Sequence, residues 1–291
     1  MLRVLFFLWA LSPLAPAGGI FPPIRIIGNL YYVGDDDMAS YLIVTPKGSI
    51  LINTGFEYSV PEIRARMKTL GFRFEDIKIL LVTHAHSDHA AGLATIKRLT
   101  GAKMLAIEQE VPLLETGGKT DYLFGSTGWF KPVKVDRVFK DGETIELGGT
   151  ALTAHLTPGH TRGSTSYSWD ITENAHTYHV LIANLGTINP GTVLVRNPVY
   201  PHIAEDYQRT FQMEAELPCD IFLSSHAQQF GLIPKWRSHE YTPDRFVDPE
   251  GYHRALARLY NRFEEELNQQ REEEQAIQDR KHFKDVKPPQ M

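Results

Sequence analysis

A nearly continuous apolar run, Ile77-Lys78-Ile79-Leu80-Leu81-Val82, ends abruptly in Thr83-His84-Ala85-His86-Ser87-Asp88-His89, and helical spacing resumes over Ala91 to Leu99. An apolar run of this length with one polar interruption suits a strand buried on both faces, which needs structure packed on either side of it. The chain therefore reads as a layered α/β protein with its polar segment at a strand end, where such sheets collect their sites.

The residue types in that segment point to metal. Four metal-capable side chains, His84, His86, Asp88 and His89, fall within six residues, and imidazole with carboxylate is a zinc-type donor set. Read as a loop, with alternate side chains on one side, the segment directs His84 and His86 to one ion and Asp88 and His89 to a second. Two ions need further donors. His160 stands in the turn Thr157-Pro158-Gly159-His160-Thr161-Arg162-Gly163-Ser164, and His226 follows the short apolar run Ile221-Phe222-Leu223. The ligand-bearing segments thus gather at predicted strand ends. The other histidines have no such setting and are assigned no metal role.

Around this centre the chain reads as one domain, because no Gly/Ser- or Pro-rich linker divides it. Strands are predicted at Ile24–Ile27, Asn29–Val33, Ser40–Val44, Ser49–Ile52, Thr144–Leu147, Ala151–His155, Thr165–Trp169, His179–Ile182 and Ile221–Leu223. Helices are predicted over Pro61–Leu70 and Ile203–Ala215. A long helical tail runs from about Asp248, with Leu256, Leu259, Tyr260, Phe263 and Leu267 as its apolar stripe. Gly117 to Trp129 reads either as a flap over substrate or as a connecting loop in which Tyr122, Phe124 and Trp129 pack. A formal net charge of −5 argues against a nucleic-acid partner, since phosphate contact needs a basic face. The single cysteine, Cys219, excludes an intrachain disulfide and reads as a small buried hydrophobe. Arg3, the apolar stretch Val4 to Leu11 and Ala15-Pro16-Ala17 predict a cleavable export signal over residues 1–17 and a periplasmic or secreted domain over 18–291. No segment is long enough to span a bilayer as an apolar helix.

The order His84-x-His86-x-Asp88-His89, His160, His226 resembles that of the metallo-β-lactamase superfamily. The chain is most similar to the third subclass of zinc-dependent (class B) β-lactamases, in Gly28-Asn29-Leu30-Tyr31-Tyr32-Val33-Gly34, Leu147-Gly148-Gly149-Thr150, Thr157 to Thr165, Asn189-Pro190-Gly191, Tyr207 and Phe246-Val247-Asp248-Pro249. The likeness runs from about Phe21 to Leu267. It implies an αββα sandwich with two zinc ions at one edge of the paired sheets. It implies His84, His86 and His160 on the first zinc, Asp88, His89 and His226 on the second, and Asn184 and Asn189 beside the substrate. The implied reaction is hydrolysis of a β-lactam amide by a water activated between the ions, giving antibiotic resistance. Asp88 is then both ligand and the carboxylate that orients that water.

Departures from the pattern refine the reading. Relatives such as glyoxalase II and many lactonases bridge their metals with a further aspartate at the end of the strand before the last histidine. Here that strand reads Val180-Leu181-Ile182-Ala183-Asn184-Leu185-Gly186, without an acid, which favours the lactamase. No cysteine lies near His160 or His226, unlike the subclass with a cysteine ligand. Asn53 stands where many relatives carry an aspartate supporting the metal loop, so a weaker hold on that loop is expected. A dizinc lactonase or other ester hydrolase, and a non-catalytic zinc-binding scaffold, remain the alternatives.

Overall fold

The computed structural model describes residues 21–237 and 241–285, so the expected export signal lies outside the described residues. A seven-stranded sheet opens the chain, in the order β1 (Ile24–Ile27), β2 (Leu30–Tyr32), β3 (Tyr41–Thr45), β4 (Gly48–Ile52), β5 (Ile77–Leu81), β6 (Lys103–Ile107) and β7 (Arg137–Phe139). The first four strands meander antiparallel; β4 to β7 run parallel. A second sheet has five strands in the order β12 (Ile221–Ser224), β11 (His176–Ala183), β10 (Thr165–Glu173), β9 (Thr150–Leu156) and β8 (Thr144–Leu147). Only β11 and β12 are parallel there.

Alternation along the strands builds two cores. Ile50, Ile52 and Leu81 of the first sheet face Tyr167, Val180 and Ile182 of the second. Leu51 and Leu80 point the other way, onto Ile63 and Met67 of α1 (Val60–Thr69) and Leu93 and Ile96 of α3 (Leu93–Thr100). Strand β5 is buried on both faces, as its sequence required. Helices α5 (Ile203–Glu216) and α7 (Pro249–Asp285) pack together outside the second sheet through Tyr207, Phe211 and Phe263. The architecture is the expected αββα sandwich. Asp248 starts α7 by accepting the Gly251 amide at 2.8 Å, with Pro249 as the first helical residue.

Several short elements are additional to the predicted ones: β6, β7, α2 (Ser87–Ala90), α4 (Val111–Thr116) and α6 (Leu232–Arg237). Strand β7 is an edge of three residues of which only Phe139 is buried, too short for alternation to show. Cys219 is partly buried, and burial pushes its thiol up to about 12, away from reactivity.

Candidate metal centre

Four segments converge at one edge of the sandwich. Parallel β5 and β4 end side by side, and Asn53, just past β4, adopts the left-handed conformation (φ 61°) that asparagine tolerates. Its buried amide oxygen accepts the Thr83 amide at 2.8 Å. The Thr83 carbonyl in turn accepts the Thr165 amide at 2.7 Å, tying the first sheet's loop to the start of β10. Asn53 therefore does hold the root of the histidine loop. The Ala39 amide bonds to the Ser225 carbonyl at 3.0 Å, and the Tyr41 hydroxyl to the Ser224 carbonyl at 2.6 Å, which brings the end of β12 across the gap between sheets.

The segment after β5 is not wholly the loop the sequence suggested. His84 lies outside any regular element and His86 is extended, but Asp88 and His89 lie on the one-turn helix α2. The turn aims consecutive side chains where a loop would have alternated them. His84, His86 and His160 bring their ring nitrogens within 4.8 Å of one another, with His86 Nδ1 and His160 Nε2 3.1 Å apart. His89 Nε2 lies 3.3 Å from Asp88 Oδ2 and 3.3 Å from His226 Nε2, and His226 Nε2 is 3.7 Å from Asp88 Oδ2. The triads abut, since donor atoms of His84, Asp88 and His89 also fall within 4.8 Å.

These spacings fit metal. Tetrahedral N and O donors at about 2.0–2.1 Å from an ion stand about 3.3 Å from each other. Neutral imidazoles and carboxylates crowded to that distance otherwise leave lone pairs facing lone pairs. The outward nitrogens support the same reading. His84 Nδ1–H donates to Asn184 Oδ1 at 2.8 Å, His160 Nδ1–H to the Thr187 carbonyl at 2.7 Å, and His86 Nε2–H to Asp121 Oδ2 at 3.2 Å. Each bond fixes the tautomer that turns a lone pair inward. His226 Nδ1 has a looser partner, Asp37 Oδ1 at 3.4 Å.

Electrostatics keep His84, His160 and His226 unprotonated and Asp88 ionised. Burial and the neighbouring His89, His160 and His86 hold His84 well below the usual imidazole range. Burial and His86 bring His160 down to about 3, against the Thr187 bond. Burial also lowers His226, helped by His89. Burial alone would raise the Asp88 carboxyl, but the fields of His89, His86 and His226 hold it well below the carboxylate range.

Asn184 and Asn189, the expected substrate contacts, sit in different settings. Asn184 is buried, and its amide oxygen accepts from His84 and from the Ser225 hydroxyl at 3.1 Å, so it stands behind a donor. Asn189 is half-buried in a turn closed by the Thr192 amide on its carbonyl, and its side chain makes no hydrogen bond to the six donors. Asp121, Asp37 and Glu110 were not singled out by sequence. Buried Glu110 accepts from the Ala85 amide, the Thr161 hydroxyl and the Gly163 amide, joining the His86 and His160 segments. Burial raises its carboxyl to about 7. Gly159 is required beside His160 in sequence: with φ 129°, a Cβ there would sit 2.7 Å from the Tyr207 ring.

A family model described as the Metallo-beta-lactamase superfamily matches residues 33–226. The chain is similar to the native FEZ-1 metallo-beta-lactamase from Legionella gormanii, with 47% identity, 88% of this chain and 99% of that one covered, and a TM-score of 0.84. It is also similar to the class B3 di-zinc metallo-beta-lactamase LRA-12 from an Alaskan soil metagenome, with 40% identity, 86% and 97% coverage and a TM-score of 0.82. Among curated relatives, a hydroxyacylglutathione hydrolase from Hyphomonas neptunium is 32% identical over 112 residues, which are 38% of this chain and 37% of that protein. The chain spans under two-fifths of the length of the first curated relatives it matches.

Proposed function

Because the chain belongs to the metallo-β-lactamase superfamily of hydrolases, we propose that it hydrolyses the amide bond of β-lactams at a two-zinc centre. The observation that carries this is the pair of abutting donor triads, spaced for metal and backed by outward hydrogen bonds. His84, His86 and His160 would hold one zinc, and Asp88, His89 and His226 the other. Zinc bound there supplies a Lewis acid for the carbonyl and a water acidic enough to ionise near neutral pH.

The chain's own residues prepare that chemistry. His84 and His160, neutral and fixed in tautomer, present lone pairs without first losing a proton. Asp88 stays ionised, so its carboxylate accepts from an attacking water and aims it at the carbonyl carbon. Likeness over nearly the full length of known lactamases favours a lactam substrate. Asn184, an amide where bridged hydrolases carry an acid, favours it too. A second reading, ester or thioester hydrolysis, has in its support the partial matches to hydroxyacylglutathione hydrolases. Residues 1–17 complete the proposal as a cleaved signal that delivers the enzyme to the periplasm or beyond, where it would confer antibiotic resistance.

Turnover of a chromogenic cephalosporin by the purified mature chain, abolished by a chelator and restored by zinc, is the expected result. Cleavage of a hydroxyacylglutathione thioester without lactam turnover would select the second reading. N-terminal sequencing of exported protein should begin near residue 18.

A further inference from the structure

The Gly117–Trp129 segment hydrogen-bonds to the first triad through Asp121, whose two oxygens do different things. Asp121 Oδ1 accepts the amides of Leu123 at 2.8 Å and Phe124 at 2.6 Å, which folds the segment into a tight turn. Asp121 Oδ2 accepts His86 Nε2–H at 3.2 Å. The turn then sets the Phe124 ring edge-on to His86, with centroids 5.2 Å apart. On its other side Tyr122 packs edge-on against Tyr200 at 5.3 Å, beyond β11. The carboxylate is almost wholly enclosed, with 3% of its side chain exposed.

We infer that Asp121 is a positioning residue that couples zinc at the first triad to the order of the Asp121–Phe124 turn beside it. The inference rests on the zinc reading of the triad and not on the lactam as substrate. Coordination through Nδ1 draws electron density from the imidazole and makes Nε2–H a stronger donor, so the bond to Asp121 tightens when zinc is bound. The bond tightens on the same carboxylate that caps the turn. Linkage makes the effect reciprocal: an ordered turn raises zinc affinity by the factor by which zinc orders the turn. A flap held only by packing would show no such dependence.

Asp121→Asn separates the two roles. Its one amide oxygen still caps the Leu123 and Phe124 amides, but its NH2 then meets His86 Nε2–H donor to donor. The experiment compares the full mature wild-type chain with this variant and with Asp121→Ala, in the absence of any lactam. Zinc affinity is read by competition with a chromophoric chelator, and amide hydrogen exchange of residues 121–126 is read with and without zinc. In the wild type, zinc should slow exchange at Leu123 and Phe124 about tenfold or more. In Asp121→Asn, affinity should fall about 10–100-fold and the zinc-dependent slowing should vanish, while metal-free exchange stays near wild type. Asp121→Ala should exchange fast with or without zinc. Wild-type zinc affinity in Asp121→Asn, or zinc-dependent protection that survives there, overturns the inference. If neither variant folds, zinc-independent exchange in the wild type overturns it alone. Lactam turnover is not read, so its absence would bear only on the substrate proposed above.

Discussion

The two donor triads are unequal. Every ring of the first is buried or nearly so, and every ring has a backing group at 2.7–3.2 Å, namely Asn184, Thr187 and Asp121. In the second, His226 and Asp88 expose 30% and 26% of their side chains, and among the described residues the only backing contact on the His226 ring is Asp37 at 3.4 Å. His89 Nδ1 is buried without a hydrogen-bond partner among the described residues. The first triad is thus pre-organised and the second adaptable. Where donors are fixed beforehand, binding loses less freedom, so the first triad should take zinc more tightly. The second, open to solvent, suits groups that change partner as substrate enters and leaves.

The strongest way to break the comparison is to remove a donor from each side. His160→Ala should lower lactam turnover by about 10³-fold or more and reduce zinc from two ions per chain to one, since activation needs the whole centre. Asp88→Asn keeps the volume but removes the only carboxylate among the six donors. It should cost about 10²–10³-fold in turnover and empty the second triad, leaving the first able to hold zinc through the same chelator titration. If both variants lose their zinc in the same order and at the same chelator concentration, the triads are equivalent and the argument fails.

Backing groups test it more finely. Asn184→Ala should weaken zinc at the first triad about 10–100-fold, as loss of an orienting group does. The sequence alone had suggested a substrate contact. A raised KM with zinc affinity intact would restore that role. Behind Asn184 the support continues: its backbone N–H donates to the Ser166 hydroxyl at 2.8 Å, which donates to buried Glu214 at 2.9 Å. Burial pushes the Glu214 carboxyl from its ordinary 4.5 up to about 8. A raised folded-state value contributes stability that is complete below about pH 4.5 and lost as pH rises towards 8. Relative to wild type, Glu214→Gln should therefore gain stability across that window, by up to about 1.4 kcal/mol per pH unit. Denaturant unfolding at pH 5 and pH 8 measures it, and an unchanged difference between the two would place the carboxyl near its ordinary value. Asp37→Ala should do least, changing zinc affinity at the second triad by no more than about threefold, in the same chelator competition. A loss as large as that of Asn184→Ala would make the second triad as well backed as the first.

How much of this was legible follows from where each signal lies. The donors were readable because their types cluster after a strand whose burial is written in Ile77 to Val82. The flanking strands and the helices α1, α5 and α7 were readable from alternation and spacing, and a full αββα sandwich from the family resemblance. The four-residue helix carrying Asp88 and His89 was not, because one turn has too few residues to show a period. Edge strand β7 failed for the same reason.

What the sequence determined by itself was the set of donors, their order and the strand ends that carry them, because donor chemistry and local periodicity are written residue by residue. Only the tertiary structure decided which nitrogen of each ring turns inward. That choice belongs to the group on the ring's far side, and those groups come from 27 residues away for Thr187 on His160, 35 for Asp121 on His86, 100 for Asn184 on His84 and 189 for Asp37 on His226. No local pattern links such pairs. They meet because two sheets stack and bring their strand ends to one edge, and a hydrogen bond across that edge is a property of the stacking, not of either segment.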